Sequence, residues 1–275
     1  MIELLKVKLL IALKLSLLYF SLANANATPA NNEYPGRDTY RNVSTISTAD
    51  LYKKKNELTI VDTRSDFEYE TLSIKGAVNI PLSSLDFSEQ IKQLHKKEGK
   101  TLVFYCNGHS CMKSYQAVIK TKRLAKIKDS YAYDSGIFDW ARSYPGHSVL
   151  LGKSPINPAD LIPKNEFANH LLKPQAFAKK ADNNCLVLDV RDPSQRHDKL
   201  FPGNQYSVSL NKSEQGKLNQ YISQSKKQNQ ALCIYDAVGK QVRWLQYYLK
   251  AKNISNYYFM EGGARAYYDM LKTAS

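Results

Sequence analysis

Apolar residues in this chain fall into short unbroken runs, each closed by a single polar or reactive residue. Leu58 to Val61 ends on Asp62, Leu102 to Tyr105 on Cys106, Leu186 to Leu188 on Asp189, and Leu232 to Tyr235 on Asp236. Such runs are too short for core helices. They lack the alternation of a strand with one wet face, so they predict strands of a parallel sheet covered on both sides. Between them lie stretches of helical period. Residues 113–127 place Ala117, Val118, Leu124 and Ile127 on one face, and residues 240–254 do the same with Val242, Leu245, Tyr248 and Leu249. Strand and helix in alternation predict an α/β fold.

The pattern occurs twice. "LTIVDTRSDFEYE" from position 58 resembles "CLVLDVRDPSQRH" from 185, each an apolar strand ending in Asp-x-Arg. "TLVFYCNGH" from 101 resembles "ALCIYDAVG" from 231, and "YDSGIFDWA" from 133 resembles "MEGGARAYY" from 260. Asp62 and Asp189 stand 127 positions apart, Cys106 and Asp236 stand 130 apart, and Gly136 and Gly263 stand 127 apart. Three landmarks in one order at a nearly constant offset indicate a duplicated domain. The Pro-rich, polar segment near 152–166 marks the boundary. The predicted organisation is a signal peptide at 1–25, an extension at 26–44, a first domain at 45–151, a linker at 152–169 and a second domain at 170–275.

The N-terminal stretch carries Lys6 and Lys8, an apolar run from Leu9 to Leu22 interrupted by Lys14, then Ala23-Asn24-Ala25. That is the layout of a secretory signal peptide cleaved near Ala25 or Ala27, and the run is short for a membrane span. A periplasmic or secreted protein without stable membrane insertion is expected. The 275 residues carry a formal charge of +14, which favours anionic partners. The lysines are scattered, however, and the aromatic residues are not interleaved with them on one face, so nucleic acid is not expected as a partner.

Four cysteines follow the leader: Cys106, Cys111, Cys185 and Cys233. They are too few for a disulfide scaffold. Cys185 and Cys233 lie within strand-like runs and are expected to be inert core residues. Cys106 and Cys111 bracket a polar loop. A strand that ends in a loop leading to a helix N-terminus is where α/β folds bind ligands. Asn107, Gly108, His109, Ser110, Cys111 and Met112 offer backbone N–H groups there, and Lys113 adds positive charge. The cradle would stabilise a thiolate on Cys106 or hold a small oxyanion, and Gly108 permits the tight loop.

These landmarks together, with "IKGAVNIPLSSL" at 74–85 and "GIFDW" at 136–140, resemble the rhodanese-type sulfurtransferases. The second half resembles a degenerate copy, as in tandem rhodaneses. The resemblance implies two rhodanese-like domains in tandem, each a mainly parallel sheet flanked by helices. It also implies that Cys106 carries a sulfane sulfur as a persulfide, taken from an anionic donor such as thiosulfate and passed to a thiol or cyanide-like acceptor. Residues 107–113 become the substrate-binding loop, with Arg64 nearby, and no cofactor is required.

The chain departs from the family in three places. Lys113 follows the cysteine at a longer interval than the family's basic residue, which widens the loop. Related phosphatases would close it with a bidentate arginine, for which Lys113 is a poor substitute. Cys111 lies inside the loop, either as a resolving cysteine or as a small packing residue. In the second copy Asp236 replaces the nucleophile, so that half is expected to be non-catalytic, a cleft wall or a surface for a protein partner.

Two alternatives to the sulfurtransferase remain open: a non-catalytic module binding an anion or a partner, and a thiol–disulfide protein using Cys106 and Cys111. His109 is a candidate anion binder or general acid. Asp62-Thr63-Arg64 also fits a purely structural pair, and Trp140 fits the core. Cys106, His109 and Cys111 have no second Cys/His pair to complete a metal site.

Overall fold

The computed structural model describes residues 33–274, so the predicted signal peptide lies outside the described residues. The first half runs α1 (Pro35–Thr39), α2 (Thr48–Lys54), β1 (Leu58–Asp62), α3 (Asp66–Thr71), β2 (Leu72–Ile74), β3 (Val78–Asn79), α4 (Phe87–Glu98) and β4 (Thr101–Tyr105). It continues with α5 (Lys113–Lys120), β5 (Ser130–Tyr133), α6 (Gly136–Ser143) and β6 (Ser148–Leu150). The linker region holds α7 (Lys164–Ala168). The second half begins with β7 (Leu171–Leu172), α8 (Pro174–Ala181), β8 (Cys185–Asp189), β9 (Gln205–Ser207) and α9 (Gln215–Lys227). It ends with β10 (Ala231–Tyr235), α10 (Val242–Ala251), β11 (Tyr257–Met260) and α11 (Gly263–Ala274).

Two parallel sheets result, with strand orders β3-β1-β4-β5 and β7-β11-β10-β8-β9. Both place the strand ending in Asp-x-Arg beside the strand that precedes the loop, in one register: Asp62 lies opposite Tyr105, and Asp189 opposite Tyr235. A parallel bridge from Thr45 to Ala132 supplies, on the first sheet, the edge that β7 forms on the second. β2 and β6 form a separate antiparallel pair. The α/β architecture read from the apolar runs is therefore present in both halves.

Local sequence explains the element ends that matter for the site. Ser65 and Glu68 form a capping box that starts α3, and Gly99 in the left-handed region stops α4 before β4. β4 is buried along almost its whole length and points its C-terminal end at the loop. The predicted helix over 113–127 is helical in two parts: α5 ends at Lys120, and a wider π turn carries the chain to Ala125.

One apolar core crosses between the halves. It joins Ile60, Val103, Tyr105 and Trp140 to Leu186, Leu232, Trp244 and Leu249. Ile156, Leu161 and Ile162, from the segment expected to be a linker, are buried in the same core. Separate clusters fill the outer faces, one under α4 and α5 and one under α8 and α11.

The expectation of inert thiols at Cys185 and Cys233 is corrected. They form a disulfide. Cys185 lies opposite Ala231 and Cys233 opposite Val187, so the two face the same side of adjacent strands one diagonal apart. Their Cα atoms are 5.9 Å apart, inside the range a disulfide spans without distortion of the backbone. Strand-like sequence identifies the burial, while the pairing depends on sheet register, which sequence alone leaves open.

Candidate functional site

Cys106 sits one residue beyond β4, fully buried, at the C-terminal end of a central strand. Its carbonyl accepts the Ile137 N–H at 3.0 Å, which pins the strand end to the start of α6. Gly108 and Gly136 both have positive φ, and their backbones meet so closely that a Cβ on either would collide with the other's segment. Glycine is needed at both positions for that double reason. His109 also adopts positive φ, and the Cys111 N–H donates to the Gly108 carbonyl at 2.8 Å. This turn folds residues 108–111 back, and Cys111 is joined to Cys106 by a disulfide, with Cα atoms 6.5 Å apart. Cys106 is shut off from solvent, whereas Cys111 is half-buried.

The other loop residues differ in what they can do. Asn107 turns away from the loop. Its side-chain amide donates to Glu68 at 3.2 Å, and its oxygen accepts from Arg64 at 3.4 Å. His109 bonds Asp139 through Nε2 at 2.7 Å, lies 3.4 Å from Glu33 through Nδ1, and stacks on Tyr34 with ring centroids 4.7 Å apart. Ser110 and Lys113 are exposed, Lys113 as the first residue of α5, and Met112 packs partly into the cluster beneath α5. The next residue, Ser114, is fully buried, and its hydroxyl has no hydrogen-bond partner among the described residues.

Of the two readings of Arg64, the structural pair with Asp62 is the one present. Its side chain is fully buried and bidentate on Asp62, at 2.9 Å from Nε to Oδ1 and 2.5 Å from Nη2 to Oδ2. Nη2 also donates to the Leu72 carbonyl at 2.6 Å. Burial works against the charge, but Asp62 outweighs it and holds the guanidinium above its ordinary range. An arginine so engaged commits Nε and Nη2 to the protein and reaches the loop through Nη1 alone. Its task is to fix the ends of β1 and, through Asn107, the base of the loop. Arg191 repeats the arrangement on Asp189, at 2.9 Å and 2.7 Å.

The second half closes the site from the side. The indole of Trp244 lies 4.9 Å from the Arg64 guanidinium and stacks on Phe138 at 5.3 Å. Arg243 lies 4.6 Å from the same Phe138 ring. Burial pushes the Arg243 guanidinium below its ordinary value, and Arg142 adds repulsion. In the sequence, Trp244 and Phe138 are indistinguishable from ordinary core aromatics. Only the packing of α10 against α3 shows that Trp244 covers the Arg64 guanidinium and that Phe138 stacks on the indole.

The second loop is filled by its own strand-end residue. Both oxygens of Asp236 turn into the loop. Oδ1 accepts from the N–H groups of Val238 (2.9 Å) and Gly239, and Oδ2 from those of Gln241 (2.5 Å) and Val242 (3.1 Å). From sequence, an aspartate here is expected to repel anions. The geometry gives a more specific reason for exclusion, since the carboxylate is itself the bound anion. The scaffold behind the loop is otherwise the same, with the Ala264 N–H on the Asp236 carbonyl at 2.8 Å and Gly263 pressed against the loop backbone.

Residues 47–143 match the rhodanese-like domain. A tRNA uridine(34) hydroxylase of Cytophaga hutchinsonii is 35% identical over 57 residues, which cover 20% of this chain and 18% of that protein. An HTH-type transcriptional regulator of Mycobacterium tuberculosis is 30% identical over 99 residues, covering 34% of this chain and 40% of the regulator. The chain thus spans less than half the length of either relative. Among solved structures, a rhodanese-related protein of Thermoplasma volcanium is 28% identical, with 36% of this chain and 92% of that one covered at a TM-score of 0.31. A thiosulfate sulfurtransferase of Pseudomonas aeruginosa is 16% identical, with 83% of this chain and 45% of that one covered at a TM-score of 0.33. The strand-end cysteine, the loop into α5 and the family match all fall within one segment, residues 47–143, which is similar to the rhodanese-like domain.

Proposed function

We propose that this protein is a sulfurtransferase and that Cys106 carries the sulfur. The thiolate attacks the outer sulfur of a donor such as thiosulfate. The donor's S–S bond breaks, sulfite leaves, and Cys106 holds a persulfide. A thiol or cyanide then takes the outer sulfur and returns the thiolate. The observation that supports this reading best is the position of Cys106: a buried sulfur at the end of a central parallel strand, under a loop that opens into the N-terminus of α5. That end of a helix favours a negative charge, whether a thiolate or a bound oxyanion. Loading requires the dithiol state, in which the Cys106–Cys111 disulfide is open. The apolar leader of the sequence is consistent with function in the periplasm or outside the cell, where such a disulfide persists.

A second reading, a redox or binding protein whose Cys106 stays closed, is favoured by that same disulfide. Intact mass separates the two. The reduced protein should release sulfite from thiosulfate, its Cys111→Ser variant should gain one sulfur atom and lose it to cyanide, and Cys106→Ser should gain none. A protein two hydrogens short that does not react with thiosulfate after mild reduction would exclude sulfur transfer.

A further inference from the structure

We propose that Cys111 discharges the persulfide on Cys106 and releases its outer sulfur as sulfide. This inference rests on the reading of Cys106 as a sulfur carrier. The Cys111 sulfur is already placed within bonding reach of the Cys106 sulfur by the turn at Gly108 and by the left-handed backbone at Gly108 and His109. When Cys106 bears a persulfide, its inner sulfur is the atom that Cys111 faces. The Cys111 thiolate attacks that inner sulfur, the bond to the outer sulfur breaks, and hydrosulfide leaves with the proton that Cys111 gave up. Each cysteine is oxidised by one electron, and the sulfane sulfur is reduced by two. With thiosulfate as donor, two thiols and one thiosulfate become one disulfide, one sulfite and one hydrogen sulfide.

The two disulfides of this chain differ in a way that supports a catalytic role for one of them. Cys185 and Cys233 are both buried on adjacent core strands, which shields their bond from mild reductants. Cys106–Cys111 bridges only five positions of sequence, and one of its sulfurs belongs to a half-buried residue. A purely structural bond would block the residue whose thiolate must react. In a cycle, the closed form is the product of discharge. A dithiol protein of the thioredoxin class is the reductant the cycle requires. It attacks the more accessible Cys111 sulfur and frees Cys106 as a thiolate at the helix end, where negative charge is stabilised. A second thiol of the same reductant then clears Cys111. Sulfur loaded on this protein therefore leaves as sulfide while a dithiol is oxidised, even when no sulfur acceptor is present.

The full chain, reduced and freed of reductant, is mixed with thiosulfate, and sulfite, sulfide and intact mass are followed together. The wild type should release about one sulfide per chain and end two hydrogens lighter, while Cys111→Ser should accumulate the persulfide and release less than about a tenth as much. Cys111→Ala serves as a second variant and should behave like the serine. A wild type that accumulates a stable persulfide without sulfide would overturn the proposal and leave sulfur transfer by Cys106 standing. If neither the wild type nor Cys111→Ser produces sulfite, both readings fail.

Discussion

Phe138 and Trp244, one from each half of the chain, stack with their ring centroids 5.3 Å apart, and Trp244 lies against the guanidinium of the buried Arg64–Asp62 pair. The contact makes the second half part of the first half's site without lending it any reactive group. It also ties the packing of both halves to the ion pair beneath it.

Replacing Arg64 by methionine leaves the carboxylate of Asp62 fully buried without its cation. A loss of about 3–5 kcal/mol is expected, measured by urea denaturation. Arg64→Lys should recover only part of it, because an ammonium cannot make the two parallel bonds to Asp62 and also reach the Leu72 carbonyl. Full recovery with lysine would show that charge alone matters here.

Gly136→Ala forces a Cβ into the Asn107–Gly108 backbone at a residue whose φ is +70°. Overpacking of this kind costs about 1–3 kcal/mol, and the displaced loop should load sulfur more slowly. Gly146, with open space around it, is the control: Gly146→Ala should change neither stability nor loading.

Asp236→Ala should cost roughly 1–3 kcal/mol by leaving loop N–H groups without an acceptor. Added sulfate should stabilise this variant more than the wild type, since an oxyanion can then take the vacated place. Thermal shifts at matched ionic strength decide the matter. Equal shifts in the two proteins would mean that the carboxylate does not stand where an anion binds.

The strand ends at Asp62, Cys106, Asp189 and Asp236 are legible in the sequence because uninterrupted apolar runs leave one interpretation, and the constant offset between copies reinforces it. The role of Arg64 is not. Asp-x-Arg has the same spelling whether the arginine faces a ligand or folds back on the aspartate, and only burial distinguishes the two. Cys185 and Cys233 look like lone thiols for a similar reason, since pairing across strands is a property of register. Ser114, buried without a partner beside the loop, carries no signal in its own letter.

Several tyrosines set the alkaline limit of the fold. Burial first, and then neighbouring Asp62, holds the Tyr105 phenol well above its ordinary value. Burial does the same to Tyr133, and burial with Asp189 to Tyr235. A phenol that is harder to ionise in the folded state favours folding at any pH below about 10 and loses that contribution as pH rises towards the folded value. Stability should therefore fall steeply above about pH 10, with tyrosinate absorbance appearing together with unfolding. Ionisation of all nineteen tyrosines near pH 10 with the fold intact would contradict the burial.

The Cys185–Cys233 bond closes a separation of 48 residues, for which loop entropy gives about 4 kcal/mol. In the Cys106→Ser, Cys111→Ser background, where it is the remaining bond, a reductant strong enough to open it should lower the denaturation midpoint accordingly. An unchanged midpoint would mean that the core holds β8 against β10 without it.

Because the carboxylate in the second loop is tethered to its own backbone, its effective concentration there is fixed by a single side-chain rotamer and does not depend on the medium. Dialysis, dilution or a change of salt cannot strip it. In the first loop the equivalent place is taken by Cys106, bonded to Cys111, and a disulfide responds to the thiols and oxidants around the protein. One chain thus carries two versions of the same strand-end loop, one saturated by a carboxylate and one closed by a disulfide. The saturated copy is a built-in reference against which the state of the other can be measured in the same molecule.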